Sequence, residues 1–323
     1  MKGNINWQVQ KLYHESGIKQ IGQSKHEVKE SIRKSINGQS RAATWHAMGK
    51  GLGIYSIRTA DAYRDVWRQL GTYVKETFQV KDLEKLTGEH VEAFLKTKIQ
   101  KNIAHSTLSN YAAALEKLES ALNGYAKVHG TGNTYAFAEN IVSARSMAKE
   151  SLEKFTGSRA YERPEEIVKS LRSQDHRLVA RIQLESGARV NECNHLTQEA
   201  LRGLTKDPVT GETKGVLYVE KGKGGKSGEK YLSQETYQEL KEKIRTTAEG
   251  RFCFEYRNYI RDLKKATDRT HQKYHASHGL RWNFAQRRFR ESQEHGSCYT
   301  QALLHVSQEL FHERGDITEH YLK

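Results

Sequence analysis

Residues 278–285 read HGLRWNFA and residues 306–322 read VSQELFHERGDITEHYL, and the spacing of polar side chains in these two segments decides how the C-terminal half is read. His278 and Arg281 stand three apart, so on a helix they share a face and aim an imidazole and a guanidinium at one anion. His312 and Tyr321 stand nine apart with Gly315 and Asp316 between them, and a turn there brings the two side chains together. Taken singly, each pair is also what ordinary packing yields: a core histidine beside a surface arginine, or a buried tyrosine.

Upstream, Val216–Glu220 and Glu229–Leu232 flank KGKGGKSG (221–228), a turn rich in Gly and Lys, the sequence signature of a β-hairpin and the one clear strand signal in the chain. Its lysines, Lys221, Lys223, Lys226 and Lys230, are able to present a mobile ammonium to a phosphate, although a solvated turn has the same composition. A nucleotide-binding loop is excluded, because that motif requires Gly five residues before Gly225 and the residue there is Glu220. Further upstream, GARVNECNHLT (187–197) sets Arg189 and Glu192 three apart, where on a shared helix face the carboxylate steadies the guanidinium; a surface ion pair has the same spacing.

The rest of the chain is patterned for helix. Only two prolines, Pro164 and Pro208, interrupt its 323 residues. Tyr63, Val66, Trp67, Leu70, Tyr73 and Val74 form one apolar stripe that Ser56 or Thr59 caps; Val91, Phe94 and Leu95 follow Thr87; Leu108, Tyr111, Leu115, Leu118 and Leu122 follow Ser106. These stripes predict a helical bundle over residues 56–157, preceded by an extension, residues 1–55, expected to be a helical appendage or an arm-type segment. Periodicity fails in KFTGSRAYERPEE (154–166), where Pro164 suits a first helical position with Glu165 and Glu166 at the positive end of the dipole. That places a second domain over residues 158–323. The stretch RRFRESQEHGSCYT (287–300) is expected to hold an extra loop.

Lys and Arg outnumber Asp and Glu by 53 to 39, a net charge of +14 that favours a polyanionic partner and puts nucleic acid first. Cys193, Cys253 and Cys298 are odd in number and lack CxxC spacing, which argues against a disulfide framework and a zinc knuckle. With neither a signal peptide nor a membrane-spanning run, the expectation is a cytoplasmic protein with no membrane partner, nucleoid-associated when bound to DNA.

The order of these elements is more telling than any one of them. Arg-x-x-Glu, a lysine hairpin, His-x-x-Arg, then His and Tyr nine apart resembles the catalytic half of the tyrosine recombinases, the phage integrase and Xer-like family, and the bundle over residues 56–157, with SIRTADAYRDVWRQLGTYV and HSTLSNYAAALEKLESAL as the matching helices, resembles their core-binding domain. The resemblance implies a mainly α fold with a small β-hairpin or sheet, an α+β catalytic domain and a two-domain C-shaped clamp on DNA with a SAM-like first bundle. It implies a site-specific recombinase that cleaves and rejoins DNA through a 3′-phosphotyrosyl intermediate, in integration, excision or resolution of a phage, plasmid or other mobile element. Tyr321 is then the nucleophile, Arg189 and Arg281 the phosphate clamp, His278 the proton acceptor or a phosphate ligand, His312 a phosphate ligand, Lys223 the general acid and Glu192 a support for Arg189. Lys226 or Lys221 are alternatives to Lys223. The implied partners are double-stranded recombination sites, a homotetramer on paired sites, and accessory DNA-bending or directionality proteins, with no cofactor and no metal. Phe311 departs from the family, which usually has Gly before this histidine, and only Leu322 and Lys323 follow Tyr321.

The same residues fit two other classes. A type IB topoisomerase uses this constellation but reseals the original strand, and a non-enzymatic DNA-binding protein would hold these side chains for structure alone. Product topology separates the first; DNA binding that survives Tyr321→Phe without any covalent adduct in the wild type marks the second.

Overall fold

The computed structural model describes residues 1–35, 49, 51–220, 222, 226–312 and 315–323. They fall into two compact units, Met1–Phe155 and Thr156–Lys323, each with its own apolar core.

The first unit is helical: α1 (Ile5–Glu15), α2 (Lys25–Ser35), α3 (Ile57–Phe78), α4 (Gly88–Gln100), α5 (His105–His129) and α6 (Ala138–Ser151). Ser56 caps α3 by accepting from the Thr59 N–H. Thr87 caps α4, with His90 Nδ1 returning the bond to the Thr87 N–H. Ser106 does not cap α5, which starts one residue earlier behind Ala104 and has no side-chain cap. The apolar stripes meet in one core: Trp67 is fully buried and donates its indole N–H to the Ala114 carbonyl at 2.7 Å, pinning α3 to α5. Helix α1, expected as an appendage, packs on α3 and α5 and buries Val9, Leu12 and Tyr13 in that core. At about 1.5–3 kcal/mol for each fully buried Val or Leu, these contacts bind it into the unit.

The second unit opens with α7 (Pro164–Ser170), which does begin at Pro164 with Glu165 and Glu166 in its first turn, and α8 (Gln174–Ser186). A two-stranded ladder pairs β1 (Leu196–Thr197) with β5 (Arg251–Phe252). A three-stranded antiparallel sheet has the order β2 (Leu201–Lys206), β3 (Thr213–Val219), β4 (Gly228–Leu232), with Val219 opposite Gly228 and Gly215 opposite Leu232. Strand β2 goes beyond the expected hairpin. Only Leu201 of LRGLTK is buried, so this edge strand carries no alternating apolar pattern by which to be recognised. Helices α9 (Gln234–Thr246), α10 (Tyr256–Arg269), α11 (His278–Glu294), α12 (Tyr299–Glu309) and α13 (Gly315–Glu319) complete the unit, closed by a 3-10 turn at His320–Leu322. The architecture is thus mainly α with a small antiparallel sheet.

Helix α11 runs through the core with Arg281, Trp282, Phe284, Ala285 and Arg288 buried, packing on α8 and α12. The expected extra loop after Arg281 is a correction. Residues 287–294 of that stretch continue α11 to Glu294, and a short turn then leads into α12 at Tyr299. Among the described residues, no helix is long and apolar enough to cross a membrane.

Candidate active site

Arg189 is positioned by the end of α8. Gly187 adopts φ +64°, and a Cβ there would lie 2.4 Å from Phe284 Cδ1, so the chain turns against α11 as only Gly allows. Arg189 then precedes a 3-10 turn, Val190–Cys193, rather than sharing a regular helix face with Glu192 as the spacing suggested. The support from Glu192 is nonetheless built: its carboxylate accepts from the Arg189 backbone N–H at 2.8 Å and from Nη1 at 2.8 Å. Burial pushes the Glu192 carboxyl up, but the bonds from Arg189 and the charge of Lys230 prevail and hold it below the usual carboxylate range.

Helix α11 brings His278 and Arg281 to the same place from one turn. Arg281 is fully buried: Nη1 donates to the Gly187 carbonyl, and Nη2 donates to the Leu310 carbonyl at 2.5 Å and reaches His312 Nε2 at 3.3 Å. Its Nε is buried with no hydrogen-bond partner. An unsatisfied buried donor costs about 1–3 kcal/mol, a cost removed when an acceptor oxygen arrives. Burial and the nearby Arg189 charge lower its pKa to about 10, partly offset by Tyr321 and Glu192, so the guanidinium stays charged at neutral pH.

Tyr321 sits in the closing 3-10 turn, 8% exposed, with its hydroxyl 3.0 Å from His278 Nε2. Four rings surround its own: Trp282 at 5.1 Å, His312 at 5.3 Å, His278 at 5.5 Å and His320 at 6.3 Å between centroids. His312 follows α12 and places Nδ1 2.8 Å from Thr318 Oγ1, which in turn lies 2.7 Å from Ser307 Oγ. Arg281 has only hydrogens to offer, so Nε2 is the acceptor and Nδ1 carries the proton. Burial first, and then repulsion from Arg281, Arg189, Lys226 and Lys230, lower the His312 pKa to about 3 and hold the ring neutral.

The structure therefore gathers Arg189, Glu192, His278, Arg281, His312 and Tyr321 in one site. Lys223, with Lys221, lies outside the described residues. Lys226 donates its Nζ to the Phe311 carbonyl at 2.9 Å. Lys230 corrects the sequence reading: it is no mobile turn cation but is 1% exposed, facing inward from β4. Its alternation with Leu232 on one face of the strand was the signal that could have found this. Thr318, Ser307 and Trp282 were also missed, since nothing in their local sequence separates them from packing residues. Among the described residues no cluster of His, Cys, Asp and Glu side chains is arranged to hold a metal ion.

No protein-family model matches this sequence, and no curated protein matches it. Solved structures do. The chain is similar to the Tn1549 transposon integrase in complex with a circular intermediate DNA, at a TM-score of 0.54 and 12% identity, with 93% of this chain and 95% of that one covered. The same integrase in complex with transposon right end DNA gives a TM-score of 0.52 at 12% identity and the same coverage. XerA recombinase covers 93% of this chain and 94% of its own at 14% identity, with a TM-score of 0.39.

Proposed function

We propose that this chain, which has the fold of the tyrosine recombinases, is a site-specific DNA recombinase that cuts and rejoins duplex DNA through a 3′-phosphotyrosyl bond to Tyr321. The observation that carries this reading is the Tyr321 hydroxyl held 3.0 Å from His278 Nε2 beside a fully buried, charged Arg281 with an unmatched donor.

A phenol with a reference pKa of about 10 is a poor nucleophile at neutral pH. His278 is within reach to take its proton as the oxygen attacks phosphorus. Negative charge building on the non-bridging oxygens would be met by Arg189, steadied by Glu192, and by Arg281, whose donors need no reorganisation because the backbone carbonyls of Gly187 and Leu310 already fix its plane. His312 lies against Arg281 and completes that side. Protonation of the departing 5′ oxygen falls to Lys223, by resemblance. The phosphotyrosyl ester conserves the phosphodiester's bond energy, so a 5′ hydroxyl of a partner strand can reverse the step on new DNA without an energy source.

The integrase structures it resembles hold transposon end and circular intermediate DNA, which supports double-stranded sites of a mobile element as the substrate. Under this proposal the two units clasp DNA as a clamp, four copies act on paired sites, and the protein works in the cytoplasm on the nucleoid. The test is a nicked duplex from the region flanking the gene, incubated with wild type and with Tyr321→Phe. A covalent protein–DNA band on a denaturing gel in wild type alone is the expected result. Absence of the band on DNA that the protein binds tightly would overturn the proposal in favour of a non-enzymatic DNA-binding protein, and relaxation without exchange between two sites would point to a type IB topoisomerase.

A further inference from the structure

Phe311 immediately precedes His312 and has φ +56°, a left-handed conformation that is unfavourable for a bulky L-residue. Its surroundings hold it there. Lys226 donates to its carbonyl at 2.9 Å, while the Lys230 ammonium lies 4.0 Å from the centroid of its ring and donates to the Glu309 carbonyl at the end of α12. The ring also lies against the strand start, where a Cβ on Gly228 would come within 2.6 Å of Cε1. Both lysines follow Lys223 in the chain, and they fasten the start of β4, the end of α12 and the residue before His312 together.

Two locally unfavourable features coincide here: a buried ammonium, and a left-handed aromatic residue where glycine would be free. Such features persist only where the surroundings over-determine them, and they concentrate at functional sites. An ammonium over an aromatic face is attracted more strongly when desolvated than when exposed, which helps to hold the ring in place against its backbone preference.

We propose that Lys230 and Phe311 form a latch coupling the lysine hairpin to His312, and that both are positioning residues for the reaction assigned above. Displacement of the hairpin then moves Phe311, and with it the imidazole beside Arg281. This inference rests on the recombinase reading for its kinetic consequence but not for its geometry.

The test uses the full chain as wild type, Lys230→Met, Phe311→Gly and the double variant. Glycine at 311 relieves the φ +56° conformation and methionine at 230 removes a buried charge, so both variants are expected to fold, which thermal melting checks. In single-turnover cleavage each single variant should form the covalent adduct about 10- to 100-fold more slowly at unchanged DNA affinity, the size of loss a small misplacement produces. The double variant should lose no more than the worse single, because removing either half opens the latch. Single variants that react at the wild-type rate, or a double variant whose loss is the product of the two, overturn the proposal. If wild type itself makes no adduct, the recombinase reading fails and the histidine side-chain NMR spectrum decides the latch: both substitutions should move the His312 ring signals, and unchanged signals in both refute it.

Discussion

The His312 imidazole is locked to Thr318: Nδ1 lies 2.8 Å from Thr318 Oγ1, itself 2.7 Å from Ser307 Oγ, and both hydroxyl residues are buried. This chain of bonds fixes the tautomer that turns Nε2 toward Arg281. Thr318→Val keeps the shape but strands the His312 Nδ1–H and the buried Ser307 hydroxyl. The expected cost is about 1–3 kcal/mol of stability by urea denaturation. Cleavage should slow about tenfold or more as the ring loses its orientation. A variant as stable and as fast as wild type would show that the lock is idle.

Lys230 gives a pH dependence with a definite sign. Burial, and after it repulsion from Arg281 and Arg189, outweigh the attraction of Glu192 and Glu309 and lower its pKa from 10.5 to about 7. Below pH 7 both folded and unfolded chains are protonated, and the folded state bears the full penalty of the buried charge. Between about 7 and 10.5 only the unfolded chain keeps the proton, so this group makes stability rise with pH across that window. The melting-temperature advantage of Lys230→Met over wild type should therefore be larger at pH 6 than at pH 9. A gap independent of pH would mean that Lys230 titrates as an exposed lysine.

Arg288, 4% exposed, ties α11 to the turn after β2 and to α12: Nη2 reaches Asp207 Oδ1 at 2.9 Å and Glu309 Oε1 at 2.6 Å. Arg288→Met leaves the buried Asp207 carboxylate and the half-buried Glu309 carboxylate without the guanidinium that joins them. A loss of about 3–5 kcal/mol is expected by chemical denaturation, with a larger loss at neutral pH than in acid. A loss below about 1 kcal/mol would place this cluster with solvent-screened pairs.

Gly187→Ala sets a methyl 2.4 Å from Phe284 Cδ1 and 2.8 Å from Leu310 Cδ2 at a backbone angle of φ +64°. The carbonyl of the same residue anchors Arg281. Destabilisation of about 2 kcal/mol or more is expected, together with slower adduct formation from a displaced guanidinium. Wild-type melting and rate would show that the turn has room the structure does not offer.

With a net charge of +14, the proposed DNA complex should be held largely through phosphates. Its dissociation constant should rise steeply between about 50 and 300 mM salt, by orders of magnitude if six or more phosphates are neutralised. Equal constants at both salt concentrations would contradict a phosphate-dominated interface.

The sequence by itself determined the elements whose signals are local. The stripe around Trp67 and Leu70, the caps at Ser56 and Thr87, the start of α7 at Pro164 and the three-residue spacing of His278 and Arg281 are each set by neighbours within a few residues, where periodicity and capping chemistry act. It also named six side chains that the structure gathers into one site, because their order along the chain carries information that no single pair does. Tertiary structure alone decided the rest. Strand β2 is held by its pairing with β3 rather than by an apolar pattern. The Arg189–Glu192 pair lies on a 3-10 turn because Gly187 must bend against Phe284. Lys230, which reads as one more cation of a solvated turn, is buried because β4 packs against the end of α12. The neutrality of His312 and the orientation of its ring come from Arg281, Thr318 and Ser307, which reach it from three different elements. Burial and charge proximity sum over residues distant in sequence, and only the folded chain brings them together.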